Sequence, residues 1–317
     1  TAGADWVARY VAAFGAGALA GLRVGVWSHS AVSRDLLGQA MTALGATVVE
    51  VGRSDSFIPV DTEAVPDWAR AAIAGWVGEH GLDALVSTDG DGDRPLLADA
   101  GGDVVPGDIL GQITARVVGA DAVVTPVTSN SGAELSGAFR HVLRTKIGSP
   151  HVIAGMAATG GRVAGYEANG GFLLGFDADL RTRLPALMTR DSLLPLVAVL
   201  VAAKGAGGMA ALRQAEPARF TASDRLENVA TEATAALLAA LEADRGRLSR
   251  LLAGLAEVAG TTDLRDGLRV SCTSGRVVHL RPSGNAPELR LYVEAEDAAT
   301  AKALLDRLRA AVAAELA

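Results

Sequence analysis

Cysteine is almost absent from this 317-residue chain. The one thiol, Cys272, excludes an internal disulfide and fits a reducing cytoplasm. Set between Val270 and Thr273 it reads as a strand residue, with little reason to be a nucleophile. Lysine is nearly as scarce: only Lys146, Lys204 and Lys302 occur among 29 basic residues, so 26 are arginine. Together with the abundant alanine, this reads as base-composition bias more than function. Long apolar runs are missing too. Half the residues are apolar, yet no uncharged stretch reaches the eighteen or so residues of a membrane span. The longest candidate, residues 193–203, is interrupted by Pro195 and followed by Lys204, and reads as a buried helix. Positive charge is short overall. A net charge of −7 argues against a nucleic-acid partner, and an acidic protein that binds an anion must gather its arginines locally. The chain opens on Thr1 with neither an initiator Met nor a signal-peptide pattern, which suggests a fragment of a cytoplasmic protein.

The length suits two or three domains, and the pattern of elements suggests three. Residues 1–105 read as an α/β domain: a strand at 23–27, a helix at 34–44, a strand at 47–51 after which a helix at 66–79 leads to an apolar strand at 82–86, with a hairpin over 95–105. Residues 106–220 read as a second α/β domain. It opens with Asp108 as N-cap of a helix over 109–118, followed by a strand at 122–126, a helix at 132–144, strands at 152–154 and 162–166, and a helix at 192–204. A polar stretch over 216–224 reads as a linker. Residues 221–317 then form a smaller α+β domain, with helices over 226–241 and 248–258, strands at 267–273, 276–281 and 288–295, and a last helix capped by Asp297. The expected class is therefore α/β: two tandem α/β sheet domains followed by a smaller α+β C-terminal domain.

The richest chemistry lies in Asp89-Gly90-Asp91-Gly92-Asp93-Arg94. Carboxylates on alternate residues repel one another, and a divalent ion with oxygen ligands relieves that repulsion. Two glycines let the backbone converge the three Asp, and the strand before them places the loop at a carboxyl end, where open α/β sheets build sites. An EF-hand is excluded, since Arg94 and Ala100 stand where its Gly and Glu belong. The plainer alternative is an acidic surface turn.

Three further loops stand out. Arg281-Pro282-Ser283-Gly284-Asn285-Ala286-Pro287-Glu288-Leu289-Arg290 combines charge, fork geometry and a glycine for close backbone approach, which a phosphate cradle requires. An ordinary turn with flanking arginines competes on even terms. Gly165-Tyr166-Glu167-Ala168-Asn169-Gly170-Gly171 offers Glu167 and Asn169 two residues apart, suited to adjacent sugar hydroxyls. Ser28-His29-Ser30 invites a nucleophile reading, but a Gly-x-Ser-x-Gly elbow is absent and a structural role for serines at a helix start is the commoner one. His141 and His151 have no ligand spacing.

In this order and at these separations, the 89–94, 165–171 and 281–290 loops resemble the metal, sugar and phosphate loops of the α-D-phosphohexomutases. The wording of 28–32, 52–61 and 281–287 is similar to the bacterial phosphomannomutase branch of that family. The resemblance implies reversible transfer of a phosphate between O6 and O1 of a hexose through a bisphosphate. It makes Asp89, Asp91 and Asp93 ligands of Mg²⁺, and Arg94 a catalytic residue at the phosphoryl site. Glu167 and Asn169 become sugar ligands, and Arg281, Ser283, Gly284, Asn285 and Arg290 hold the unreacting phosphate of the hexose phosphate substrate. The family's phosphoserine loop, a Thr-Ala-Ser-His-Asn-Pro-like motif of an N-terminal domain, has no counterpart here. The chain resembles domains two to four, with an N-terminal phosphoserine domain as implied partner and no turnover by itself. Pro282 and Ala286 stand where many relatives have Thr and Glu, which favours mannose-type over glucosamine-type relatives; glucose, or a non-catalytic sugar-phosphate binder, is the alternative.

Overall fold

The computed structural model describes residues 2–284 and 286–316. It divides into two compact units, one of residues Thr1–Arg144 and Gly148–Pro217, the other of Thr145–Ile147 and Ala218–Ala317. Among the described residues no helix is long and apolar enough to cross a membrane.

The first unit holds two sheets. In the first, the strands run in the order Thr47–Val51, Arg23–Trp27, Ala84–Thr88, Pro95–Asp99. The first three are parallel and the last is antiparallel. Every residue of Ala84–Thr88 is buried, as expected for a central strand covered on both faces, and so is every residue of Pro95–Asp99 at the sheet edge. The Asp67–His80 helix before them stops on Gly81, which takes the left-handed conformation that glycine accepts without strain. In the second sheet the order is Leu187–Asp191, Phe172–Leu174, Val163–Tyr166, Ala122–Pro126, His141–Thr145. One apolar core runs through both sheets and takes in Val24, Val86, Leu97, Val123 and Phe172, with Leu110 from the Gly107–Val117 helix and Val197 from the Leu193–Ala206 helix. The two sheets are thus packed on a common core.

The second unit is a five-stranded antiparallel sheet in the order Phe220–Glu227, Glu288–Ala295, Val277–Pro282, Leu268–Cys272, Ala259–Asp263. The helices Thr231–Ala243, Arg245–Gly254 and Ala298–Leu316 supply Leu241, Leu252 and Leu304 to its core. The expected α/β class with its α+β final domain is what the structure contains. Asp297 caps the last helix as anticipated, accepting from Thr300 N at 2.8 Å.

Several elements differ from the sequence reading. Residues 152–154 lie inside the Ser149–Thr159 helix: Pro150 in the first turn starts it, and β-branched Val152 and Ile153 mislead as strand formers. The helix expected over 132–144 is one short turn, Gly132–Ser136, ended by left-handed Gly137 and followed by the His141–Thr145 strand. The polar stretch 216–224 becomes largely the Phe220–Glu227 strand, an exposed sheet edge whose polar residues face water. The next helix accordingly starts at Thr231 instead of 226. Asp108 sits inside the first turn of its helix, whose N-cap is Pro106, and its carboxylate accepts from Ile109 N and Asn130 N at 2.9 Å each. A helix over Ala2–Phe14 was not anticipated.

Gly111 faces the ring of Tyr166, one residue before Glu167, and a Cβ there would lie 2.4 Å from Tyr166 Cγ. Alanine gains about 1 kcal/mol of helix propensity, but overpacking costs roughly 1–3 kcal/mol in a close-packed core. Gly111→Ala is expected to lower the urea midpoint of unfolding; an unchanged or raised midpoint contradicts this packing.

Candidate functional site

The 89–94 loop leaves the carboxyl end of the Ala84–Thr88 strand and returns into Pro95–Asp99. Its shape follows from a few backbone bonds. Asp89 N donates to Arg94 O at 3.0 Å, and Asp89 Oδ1 accepts from Gly92 N at 3.1 Å and Arg94 N at 3.2 Å. Gly92 has φ +83°, a conformation open to glycine, and a Cβ there would press on Ser33 at 3.0 Å. The result brings one oxygen from each of Asp89, Asp91 and Asp93 within 4.8 Å of one another. Burial holds the Asp89 carboxyl above its ordinary range, with the charges of Asp93 and Asp91 adding to this against the bonds and charge of Arg94. Asp93 Oδ2 accepts from Arg190 Nη1 at 3.1 Å, while Asp93 Oδ1 is buried without a hydrogen-bond partner. An orphaned carboxylate oxygen beside two other carboxylates fits a hard divalent cation. Arg94 Nε stands 3.7 Å from Asp89 Oδ2 and 3.9 Å from Asp93 Oδ1, close enough for charge though not for a hydrogen bond.

The 165–171 loop belongs to the same unit. Glu167 N donates to Gly171 O at 3.0 Å and Gly170 N to Glu167 O at 2.9 Å, closing a tight turn. Asn169 Oδ1 accepts from Gly171 N at 3.0 Å, so this oxygen shapes the turn. Two contacts seat the loop: Thr62 Oγ1 donates to Asn169 O at 2.7 Å, and Gly170 lies against Pro95, the residue after Arg94. Glu167 is 3% exposed, and its Oε2 accepts from Ser149 Oγ at 3.0 Å and Arg190 Nε at 2.8 Å. The structure therefore brings the acidic loop and the Glu167 loop together. Beside them Glu63, although solvent-exposed as a residue, has its carboxyl pushed up to about 7, first by desolvation among these loops and then by the charges of Asp61, Asp108 and Glu167.

Ser28-His29-Ser30 serves the framework of this loop. His29 Nε2 meets Thr88 O at 2.8 Å, Ser30 Oγ accepts from Ile58 N at 2.8 Å, and Ser28 is buried. His151 stands exposed in the first turn of its helix, and His141 is exposed on its strand.

In the second unit the 283–287 turn joins Val277–Pro282 to Glu288–Ala295. Asn285 lies outside the described residues. Ser283 is buried, with its N donating to Glu288 O at 2.9 Å. Gly284 is exposed, and nothing stands within 4 Å of where its Cβ would be, which leaves room for a close backbone approach. Arg281 pairs in register with Arg290, and Arg290 with Arg225 on the next strand. Three guanidinium groups thus share one row of one sheet face. Like charges directly opposite one another are destabilising, and the row is offset by Asp266 beside Arg281 at 3.0 Å and Glu288 beside Arg290 at 3.6 Å. Such a row suits an anion. Asp266 is itself held, accepting from Ile147 N at its Oδ2 and meeting His279 Nε2 at its carbonyl, 2.7 Å away. Lys146 is exposed. Cys272 ends its strand, buried, with its thiol pushed up to about 12 by burial and then by Glu257.

No motif in the sequence assigns a role to Arg190, Arg225, Asp266 or His279. The alternation of the last strands signals which arginines share a face, but only the strand register places Arg225 opposite Arg290.

Three models of one family match the chain. They are phosphoglucomutase/phosphomannomutase α/β/α domain II over residues 7–102, α/β/α domain III over 106–220, and the C-terminal domain over 225–311. A phosphomannomutase of Sinorhizobium fredii is 45% identical over 95% of this chain and 64% of its own length. A phosphomannomutase of Salmonella muenchen is 40% identical over 92% of this chain and 62% of its own. The chain thus spans just under two thirds of these relatives. Among solved structures, a phosphoglucomutase/phosphomannomutase family protein of Burkholderia thailandensis superposes with a TM-score of 0.72 at 19% identity, covering 98% of this chain and 64% of that one, a likeness of fold.

The buried imidazole that holds Asp266 makes the second unit acid-sensitive. Burial pushes His279 down to about 4 from an ordinary 6.5, so between those values the unfolded chain binds a proton that the folded one does not. Its contribution to stability is complete above pH 6.5 and is lost as pH falls towards 4, on the order of 2 kcal/mol between pH 6.5 and 5. The urea midpoint of the second unit is expected to fall over that window, and His279→Gln to flatten the fall; an equal slope in both proteins contradicts the assignment.

Proposed function

Because the chain belongs to the phosphoglucomutase/phosphomannomutase family, with domains II, III and the C-terminal domain, we propose that it is the substrate- and cation-holding part of a phosphomannomutase. The reaction is interconversion of mannose 6-phosphate and mannose 1-phosphate through the bisphosphate. The observation that carries this reading is the seating of the acidic loop against the Glu167 loop, with Asp93 Oδ1 buried and without a hydrogen bond.

A Mg²⁺ ion held by Asp89, Asp91 and Asp93 would offset the charge that spreads over a phosphoryl group in transfer. Arg94, Nε 3.7 Å from Asp89, extends that positive field towards the donor phosphate. Glu167 and Asn169 orient sugar hydroxyls. The arginine row of the second unit, with Ser283 and Gly284, holds the phosphate that is not reacting, so that turning the sugar over exchanges its two ends. A phosphoryl group passes from a donor serine to one sugar hydroxyl, and the group on the other end returns to that serine. The hydroxyl loses its proton on attack, to a base or to water. The donor lies outside these residues: Ser28 and Ser30, the serines of the motif after the first strand, are engaged in the framework. By itself the chain does not turn over. The mannose assignment follows the names of the two relatives and the Pro282 and Ala286 of the phosphate loop; glucose differs from mannose at C2 and is the second sugar to test.

Supplied with a phosphoserine-bearing N-terminal domain of this family, the chain is expected to isomerise mannose 6-phosphate in the presence of Mg²⁺, with a higher kcat/KM than for glucose 6-phosphate. Asp91→Ala should cut the rate about a hundredfold or more. Activity that survives both chelation and Asp91→Ala would contradict the cation's role, and a preference for glucose 6-phosphate would move the assignment to the glucose branch.

A further inference from the structure

Arg190 is the only side chain whose described hydrogen bonds reach both a carboxylate of the acidic triad and Glu167, with Nη1 on Asp93 Oδ2 at 3.1 Å and Nε on Glu167 Oε2 at 2.8 Å. Its backbone is braced by the two residues that follow it. The next residue, Asp191, accepts from Tyr10 Oη through Oδ2, and from Leu193 N and Leu194 N at 3.1 Å each through Oδ1. Ser192 Oγ donates to Gly92 O at 2.8 Å, inside the acidic loop itself. The guanidinium therefore starts from a rigid corner, between the Leu187–Asp191 strand and the Leu193–Ala206 helix, and spans two loops with its fork.

We infer that Arg190 is a positioning residue that couples the affinity of the cation site to the state of Glu167. The inference rests on the reading of the acidic loop as a cation site. One guanidinium is shared by two carboxylates, and what one gains the other loses. While Glu167, backed by Ser149, holds Nε, the fork meets Asp93 at one oxygen only and leaves Oδ1 without a hydrogen bond. A guanidinium freed from Glu167 can close on both oxygens of Asp93, the bidentate geometry that arginine and carboxylate favour, and it then competes with a cation for the same lone pairs. Glu167 thus keeps Asp93 available. A sugar hydroxyl that draws on Glu167 loosens its hold on Arg190, and linkage makes the effect reciprocal: cation and sugar each alter the other's affinity by the same factor.

The test is a double-mutant cycle on Mn²⁺ affinity, read by calorimetric titration of the full chain, so that no turnover is needed. Wild type is expected to bind one Mn²⁺. Glu167→Gln, with Arg190 present, should weaken binding about tenfold or more, the scale of outer-sphere effects on metal ligands. In the Arg190→Met background the same change should alter the dissociation constant by less than about threefold, the residue of a through-space charge effect in a partly solvated site. Equal losses in the two backgrounds, or no loss in the first, overturn the coupling while leaving the cation site standing. Failure of wild type to bind Mn²⁺ at all overturns the cation reading and the coupling together. Should Glu167→Gln not fold, Glu167→Asp keeps the charge but shortens the reach to Arg190, and must weaken Mn²⁺ in the same Arg190-dependent way; a loss independent of Arg190 overturns the proposal.

Discussion

Three carboxylates held within 4.8 Å of one another are the constraint around which the first unit is arranged. Like charges at that spacing repel by several kcal/mol at the effective dielectric of a protein surface, about 4 kcal/mol per pair at 4 Å. The backbone has to force the meeting. Asp89 does so by accepting two amide N–H groups on one oxygen, and Gly92 by taking a conformation that other residues resist. Arg94 and Arg190 then supply countercharge, the one to Asp89 and the other to Asp93. The burial of the flanking strands keeps the loop from relaxing into solvent.

The rest of the unit transmits this constraint. A core common to both sheets underlies the Glu167 loop and the acidic loop, Gly170 lies against Pro95 next to Arg94, and Thr62 and Ser192 tie down one loop each. Much of the polar inventory of the sequence motifs is spent on that framework. Asn169 Oδ1 closes its own turn, and Ser28, His29 and Ser30 hold the strand ends and the 58 region. In the second unit the same principle appears with opposite charge. Arginines that sheet register sets side by side are steadied by Asp266, which is anchored in turn by a neutral, buried His279.

The parts of this arrangement that were legible in the sequence are local ones. Asp-Gly-Asp-Gly-Asp carries its geometry in its own spacing, and the strands at 23–27, 47–51 and 122–126 are short apolar runs between clear breakers, so both survive intact in the structure. Residues 152–154 misled because β-branched side chains favour strands until a proline-started helix and the packing of Val152 and Met156 override them. The edge strand over Phe220–Glu227 looked like a linker since its residues face water on an exposed edge. Arg190 was illegible for a different reason. A guanidinium that joins Asp93 to Glu167 has no motif of its own, and its partners lie 97 and 23 residues away in the chain.

The central claim is that these residues hold a sugar bisphosphate and its cation but not the phosphoryl donor. Incubation of the chain with phosphorus-labelled mannose 1,6-bisphosphate and Mg²⁺, followed by denaturation and measurement of covalent label, tests it most directly. The account predicts reversible binding with no label on the protein. Stoichiometric label on a serine of this chain, Ser28 or Ser30 above all, would contradict it.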